Sequence, residues 1–231
     1  MTPASRAPAR SPARWEERSV SRVLESGRER VLARSRKLVQ AAGELIAAGG
    51  FEGLTLRALL DRTGLSRRAF YERFDGMDDL ILAVFEQTMR DGAAKFRADL
   101  APIADPLERL RFLIETMVAT SRSDVSVRLM VALSREHLRL AEARPEDLER
   151  ALEPLTTVIA EQLALGMECG VVRKADPLQL ATLVHSLVAT TIHASVLSPR
   201  ARAASGGAER ADGSAAAVWE FCLRAVRADA A

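Results

Sequence analysis

Apolar residues recur at helical spacing along almost the whole chain, and the polar residues between them fall on the opposite faces. Val31, Leu38 and Leu45, with Val39, Ala42 and Ile46, form one such stripe, which stops at Gly49-Gly50. Ser26 followed by Glu29 has the spacing of a capping box and predicts that this helix starts there. Thr55 predicts the cap of a short second helix over "LRALLDRT", ended by Gly64 in a left-handed conformation. Ser66 predicts the cap of a third helix over residues 67–74, and Asp78 and Asp79 suit the first turn of a fourth. Four further segments carry the mixed periodicity of packed helices: "DPLERLRFLIETMVATS", "VSVRLMVALSREHLRLAEA", "PEDLERALEPLTTVIAEQLALGMECG" and "DPLQLATLVHSLVATTIHASVL". The third of these opens on a proline suited to a first helical turn and ends on Gly170; the fourth is apolar nearly all round. A Gly/Ala/Arg/Ser loop is predicted over 198–213, then a final amphipathic helix, "AAAVWEFCLRAVRA". No stretch alternates as a strand does, so the fold expected is all-α with about nine helices. Its organisation is a flexible basic arm over 1–25 (with "RWEERSVSRVLE" able to extend as a short helix), a three-helix domain over 26–75, and a larger helical domain over 76–231.

Composition agrees with that class and narrows the chemistry. Aromatic residues make up only 4% of the 231, which disfavours sheets. No apolar run reaches the roughly 18–20 residues that span a bilayer, and the first twenty residues lack the apolar core of a signal peptide, so a cytoplasmic protein without a membrane partner is expected. Cys169 and Cys222 stand far apart without metal-ligand spacing and are expected as small core residues in a reducing compartment.

Charge is uneven. Residues 1–74 hold 15 Arg and Lys against 8 Asp and Glu, whereas residues 75–231 hold 18 against 23. A basic front on an acidic body is the pattern of a polyanion-binding module joined to a module of another kind. Within the front, "TGLSRRAFYERF" concentrates the chemistry. Phe70 and Phe74, four residues apart, would pin a short helix onto the preceding two, with Leu65 helping from the turn. That leaves Arg67, Arg68, Ala69, Tyr71, Glu72 and Arg73 facing outward or on the flanks. Arginine can hold guanine O6 and N7 with two hydrogen bonds, alanine can touch a thymine methyl, and a carboxylate can accept from a cytosine amine. Tyr71 and Thr55 suit phosphates, Thr55 at a helix start that itself favours anions, and Arg57 and Ser66 are further candidate DNA contacts. Glu72 would either read a base or hold Arg68.

The stretch "FEGLTLRALLDRTGLSRRAFYERFDGMDDLILAVFE" resembles the N-terminal DNA-binding domain of TetR/AcrR-family transcriptional regulators. The residues that carry the likeness are Gly50-Phe51, Thr55, Thr63-Gly64-Leu65-Ser66, Tyr71 with Phe74, and Asp78-Asp79-Leu80, within residues 28–87. Two positions depart from that family's pattern: Arg68 replaces a residue that is often small, and Met77 stands where a phosphate-contacting lysine is common. Arg73 and the basic arm are expected to compensate.

The resemblance implies a homodimer joined through the last two long helices, reading an inverted-repeat operator in double-stranded DNA. The apolar excess of residues 176–197 and the final helix suits this, with Leu183, Leu187, Val218, Trp219, Cys222, Leu223 and Val226 as candidate contacts. It also implies a cavity for a small-molecule effector in the second domain. Candidate lining residues are Phe112, Met117, Met130, His137, Met167, His185, Thr190 and His193; methionines adapt to irregular apolar guests. With few aromatics to cage a cation, an aliphatic or mixed molecule is expected, acting as an inducer that relieves repression. No cofactor or metal is implied. Two alternatives carry less. An enzyme would draw its base from His137, His185, His193 or Glu115, yet no phosphate loop, nucleophile elbow or ligand cluster accompanies them. An architectural DNA-binding protein would be basic over more than one compact face.

Overall fold

The computed structural model describes residues 14–119, 125–197 and 208–228. Nine α-helices account for nearly all of them: α1 (Arg14–Gly53), α2 (Leu56–Thr63), α3 (Arg67–Tyr71), α4 (Met77–Leu100), α5 (Pro106–Ala119), α6 (Val125–Ala143), α7 (Pro145–Glu168), α8 (Pro177–Leu197) and α9 (Ala208–Val226). Among the described residues there is no strand, only an isolated antiparallel bridge between Val172 and Arg227.

Helix α1 is longer than its pattern predicts. It begins at Arg14, so the Ser26–Glu29 motif lies inside a continuous helix and caps nothing. Within the arm expected over 1–25, residues 14–25 take the helical extension that "RWEERSVSRVLE" allows and run without a break into α1, and residues 1–13 lie outside the described residues. The break comes at Gly50, whose φ of 67° is a conformation that side chains with a Cβ resist. At the other end of the chain, α9 starts at Ala208, inside the stretch expected as a loop.

Two apolar cores run through the molecule. The first gathers Leu38, Ile46, Leu59 and Phe70 from α1 to α3 and Phe74 from the turn after α3 with Leu80, Ile81, Leu82, Val84 and Phe85 of α4, Leu133 and Leu140 of α6, and Leu148 and Leu155 of α7. The second gathers Leu110, Leu113 and Ile114 of α5 with Ile159 and Leu163 of α7, Val184 and Val188 of α8, and Trp219 and Cys222 of α9. Helices α4 and α7 contribute to both, so the three-helix head and the larger body share two continuous struts. The end of α9 is tied down by the chain after α7: Arg173 N donates to Val226 O at 2.8 Å and Ala228 N to Val171 O at 3.1 Å. Cys222 is a buried core residue, its thiol pushed up to about 11 by burial. Cys169, expected in the core, is instead exposed where α7 ends.

Candidate nucleic-acid interface and helix-lined groove

The head is assembled by local hydrogen bonds. Thr55 has extended backbone and its hydroxyl accepts from Ala58 N at 3.1 Å, capping α2. Gly64, with a φ of 66°, closes that helix by donating to Leu60 O. Thr63 is buried in the turn, donating to Leu59 O at 2.8 Å and accepting from Leu65 N at 3.4 Å. Ser66 then caps α3, accepting from Ala69 N at 3.1 Å. The helix is shorter than the sequence predicts, because after Tyr71 the chain tightens and Arg73 N donates to Phe70 O at 2.9 Å.

Phe70 and Phe74 are both buried, their ring centroids 5.8 Å apart, and Tyr71 meets the edge of Phe70 while remaining 58% exposed. What α3 and its cap turn toward solvent is Ser66, Arg67, Arg68, Tyr71 and Glu72, with Ala69 half-buried between them. Thr55 and Arg57 are exposed at the start of α2 on the same head. Arg68 Nε donates to Glu72 Oε1 at 2.9 Å, and this bond, more than any other effect, holds the Glu72 carboxyl below the usual carboxylate range. Of the two roles left open for Glu72, the free protein thus displays the one in which it holds Arg68.

Arg73 does not join this face. Its side chain is only 5% exposed, folded back so that Nη1 donates to Ala69 O and approaches Glu72 Oε2 at 3.4 Å. The expectation that it reaches the duplex is corrected: past Tyr71 the tightened turn directs the guanidinium inward, toward a cleft between α1 and α4.

In the body, α6, α7 and α8 border a groove of about 660 Å³. His137, His185, Thr190 and His193 all line it, so the chain's three histidines come together. The rings of His137 and His193 lie 5.3 Å apart, and Phe85 of α4 packs 6.1 Å from His137. Burial lowers the affinity of all three imidazoles for a proton, His185 down to about 4, with His137 and His193 adding repulsion there. Near neutral pH each therefore offers one donor and one acceptor. Phe112, Met117 and Met167 are elsewhere, half-buried against the cores, and the Met130 side chain lies outside the described residues. Sequence reasoning missed Thr182 and Ser186, which also line the groove; with Thr190 they form an i, i+4 row of hydroxyls on an otherwise apolar helix, and that row is the signal. Among the described residues no three His, Cys, Asp or Glu side chains are grouped to hold a metal, and no helix is long and apolar enough to cross a membrane.

The candidate contacts of the last two helices divide. Leu183 is 62% exposed on α8, and Leu187 is half-buried. Val218, Trp219, Cys222 and Val226 are instead buried in the chain's own core, where α9 packs beside α5, and Leu223 packs against them. Among the described side chains the large apolar residues exposed on these helices are Leu178, Leu183 and Phe221, and of these only Leu183 was expected.

Charge also ties the start of α4 to α6 and to the start of α7. Arg139 of α6 bonds both oxygens of Asp78, at 2.7 and 3.1 Å, and Arg144 lies 3.7 Å from Asp79. The Arg139 hydrogen bond holds the Asp78 carboxyl below its usual range. Both aspartates stand in the first turn of α4, shortly after α3 and the turn that ends it.

Residues 38–84 match the family model of bacterial regulatory proteins of the tetR family. No curated protein matches the chain in sequence. Solved structures share the fold across most of the chain. RolR bound to resorcinol superposes with a TM-score of 0.67 at 16% identity, covering 87% of this chain and 91% of that one. A TetR-family regulator from Pectobacterium atrosepticum gives 0.66 at 21% identity, covering 87% and 97%. A putative transcriptional regulator from Saccharomonospora viridis in complex with choline gives 0.62 at 21% identity, covering 84% and 97%. At such identities the likeness is one of fold.

Proposed function

This chain is a TetR-family transcriptional regulator, and from that premise we propose that it is a ligand-responsive homodimeric repressor acting in the cytoplasm. The observation that carries the reading is α3 itself. A capped, aromatic-anchored helix presents Arg67, Arg68 and Tyr71 to solvent on the basic part of the chain. Arg68 reads a base edge in the major groove, Arg67 and Tyr71 contact base or phosphate, and Thr55, Arg57 and Ser66 meet the backbone. One such helix covers only a few base pairs, so two copies related by a two-fold axis read an inverted repeat. Leu178, Leu183 and Phe221 supply exposed apolar surface on α8 and α9 for that pairing.

The effector binds at the α6–α8 groove. Its neutral imidazoles and row of hydroxyls suit a small molecule with hydroxyl or carbonyl groups on an apolar frame. An effector that prefers the conformation unable to hold DNA weakens operator binding by the same factor that DNA weakens effector binding. Selection of bound duplex from a random pool, followed by gel shift, tests the reading. An inverted repeat should be recovered and bound far more tightly than random duplex. Equal binding to both would mean an architectural protein, and a ligand that strengthens operator binding would reverse the assigned direction.

A further inference from the structure

Helix α8 differs from the others in what it shows to solvent. None of its 21 residues is Asp, Glu, Lys or Arg, although such residues make up 28% of the chain. Its exposed side chains include Leu178, Thr182, Leu183, Ser186, Thr190 and Ala194. His185 and His193 add no charge near neutral pH, since burial lowers their affinity for a proton. Every other described helix turns at least one arginine outward, as α4 does with Arg90, α7 with Arg150 and α9 with Arg224.

The same uncharged face is one wall of the histidine-lined groove. Thr182, Ser186 and Thr190 line it while remaining exposed, and so do Leu178 and, from α6, Leu138, at 56% and 57%. The groove is therefore open along α8, with wet leucines at its edge. A face that pairs with its own copy about a two-fold axis sets each residue near the axis against itself. A charge there would meet the same charge, whereas leucines meet leucines and hydroxyls can bond one another. Among the described helices, α8 is the one whose exposed face meets that condition over its whole described length.

We propose that the groove is a site shared between two copies of the chain: the partner, seated on the α8 face, closes it, and the effector is held between the subunits. This rests on the reading of the chain as a homodimer with its effector in the α6–α8 groove, and adds the partner as the missing wall. Pairing and effector binding are then one linked equilibrium. An effector that touches both copies tightens the dimer by the factor by which pairing tightens the effector. A lone copy offers an incomplete site, with Leu138 and Leu178 left in water.

Modification of the full chain by diethyl pyrocarbonate near neutral pH tests this with neither DNA nor effector present. The chain's three histidines all line the groove, and their neutral form is the one that reacts. Mass spectrometry of peptides gives the rate at half-buried His137 and His193, and sedimentation velocity gives the oligomeric state of the same samples. Both histidines should react several-fold more slowly in the dimer than in monomer obtained by dilution. Leu183→Glu sets a charge on the α8 face against its own copy, at a position 62% exposed that contributes little to the fold. This variant should sediment as a monomer and react at the fast rate at every concentration; dilution of the unaltered chain reports even if the variant fails to fold. Equal rates in dimer and monomer would overturn the shared site and leave the homodimer standing. A chain that is monomeric throughout would overturn both. A Leu183→Glu chain that still dimerises would overturn α8 as the pairing face.

Discussion

Arg68 and Arg73 lie in one short run, yet the first side chain is 89% exposed and the second 5%. Arg68→Ala should relax specificity at one base pair by on the order of 1–3 kcal/mol, read by gel shift against single-base operator variants. Uniform weakening across all variants would make Arg68 a phosphate contact. Gly166→Ala should destabilise the body by about 1–3 kcal/mol in urea unfolding, because the new methyl would lie 2.5 Å from Cγ2 of buried Val172. The third residue-level expectation concerns pH. His185 binds its proton near 4 in the folded chain against 6.5 ordinarily, so the unfolded state takes up the proton first. Stability is then full above about pH 6.5 and falls as pH drops toward 4, by on the order of 2 kcal/mol between pH 7.5 and 5. His185→Gln should flatten that slope in urea titrations at the two values. Residue identities were legible in the sequence wherever a local rule determines them. Arg73 was not, because a helical wheel places it on a flank and only the turn after Tyr71 decides which way a flank points.

Among the elements, the caps of α2 and α3 were read correctly because capping there is a matter of three or four neighbouring residues. Thr55→Ala and Ser66→Ala should each cost about 1 kcal/mol, measured by thermal or urea unfolding. Ser66→Ala should in addition weaken operator binding, since α3 has only five residues in which to fray. That "RWEERSVSRVLE" can be helical was legible in the sequence, but its continuity with the rest of α1 was not. Ser26 and Glu29 satisfy a motif, but with helix on both sides their backbone N–H groups are already bonded and the motif has nothing to do. Helix α9 shows a different limit. Its pattern marks Val218, Trp219, Cys222 and Val226 as one apolar face, and periodicity alone does not distinguish a partner subunit from α5 of the same chain. Phe221, 66% exposed, lies off that face and is the residue a second copy would find.

At the scale of the molecule, α4 and α7 contribute to both cores, and the first turn of α4, next in sequence to the head, is tied to α6 and to the start of α7 by the pairing of Asp78 and Asp79 with Arg139 and Arg144. Arg139 and Asp78 are about half exposed, so Arg139→Ala should lower stability by no more than about 1 kcal/mol. It should nonetheless change operator affinity several-fold, because it releases the first turn of α4 beside the recognition segment. Unfolding midpoints and gel shifts on the same variant would separate the two effects, and a fall in both by matching amounts would reduce the pair to a structural contact. The remaining feature with mechanical meaning is the length of α1. Ahead of Leu38, its first buried residue among the described side chains, residues 14–37 extend about 36 Å at 1.5 Å per residue. Such a rod is a pointer fixed to the head: a tilt of about 10° at Leu38 sweeps its tip through about 6 Å. Rotations of the head too small to resolve at α3 would be magnified at Arg14, making that end of the chain the natural place for a distance label.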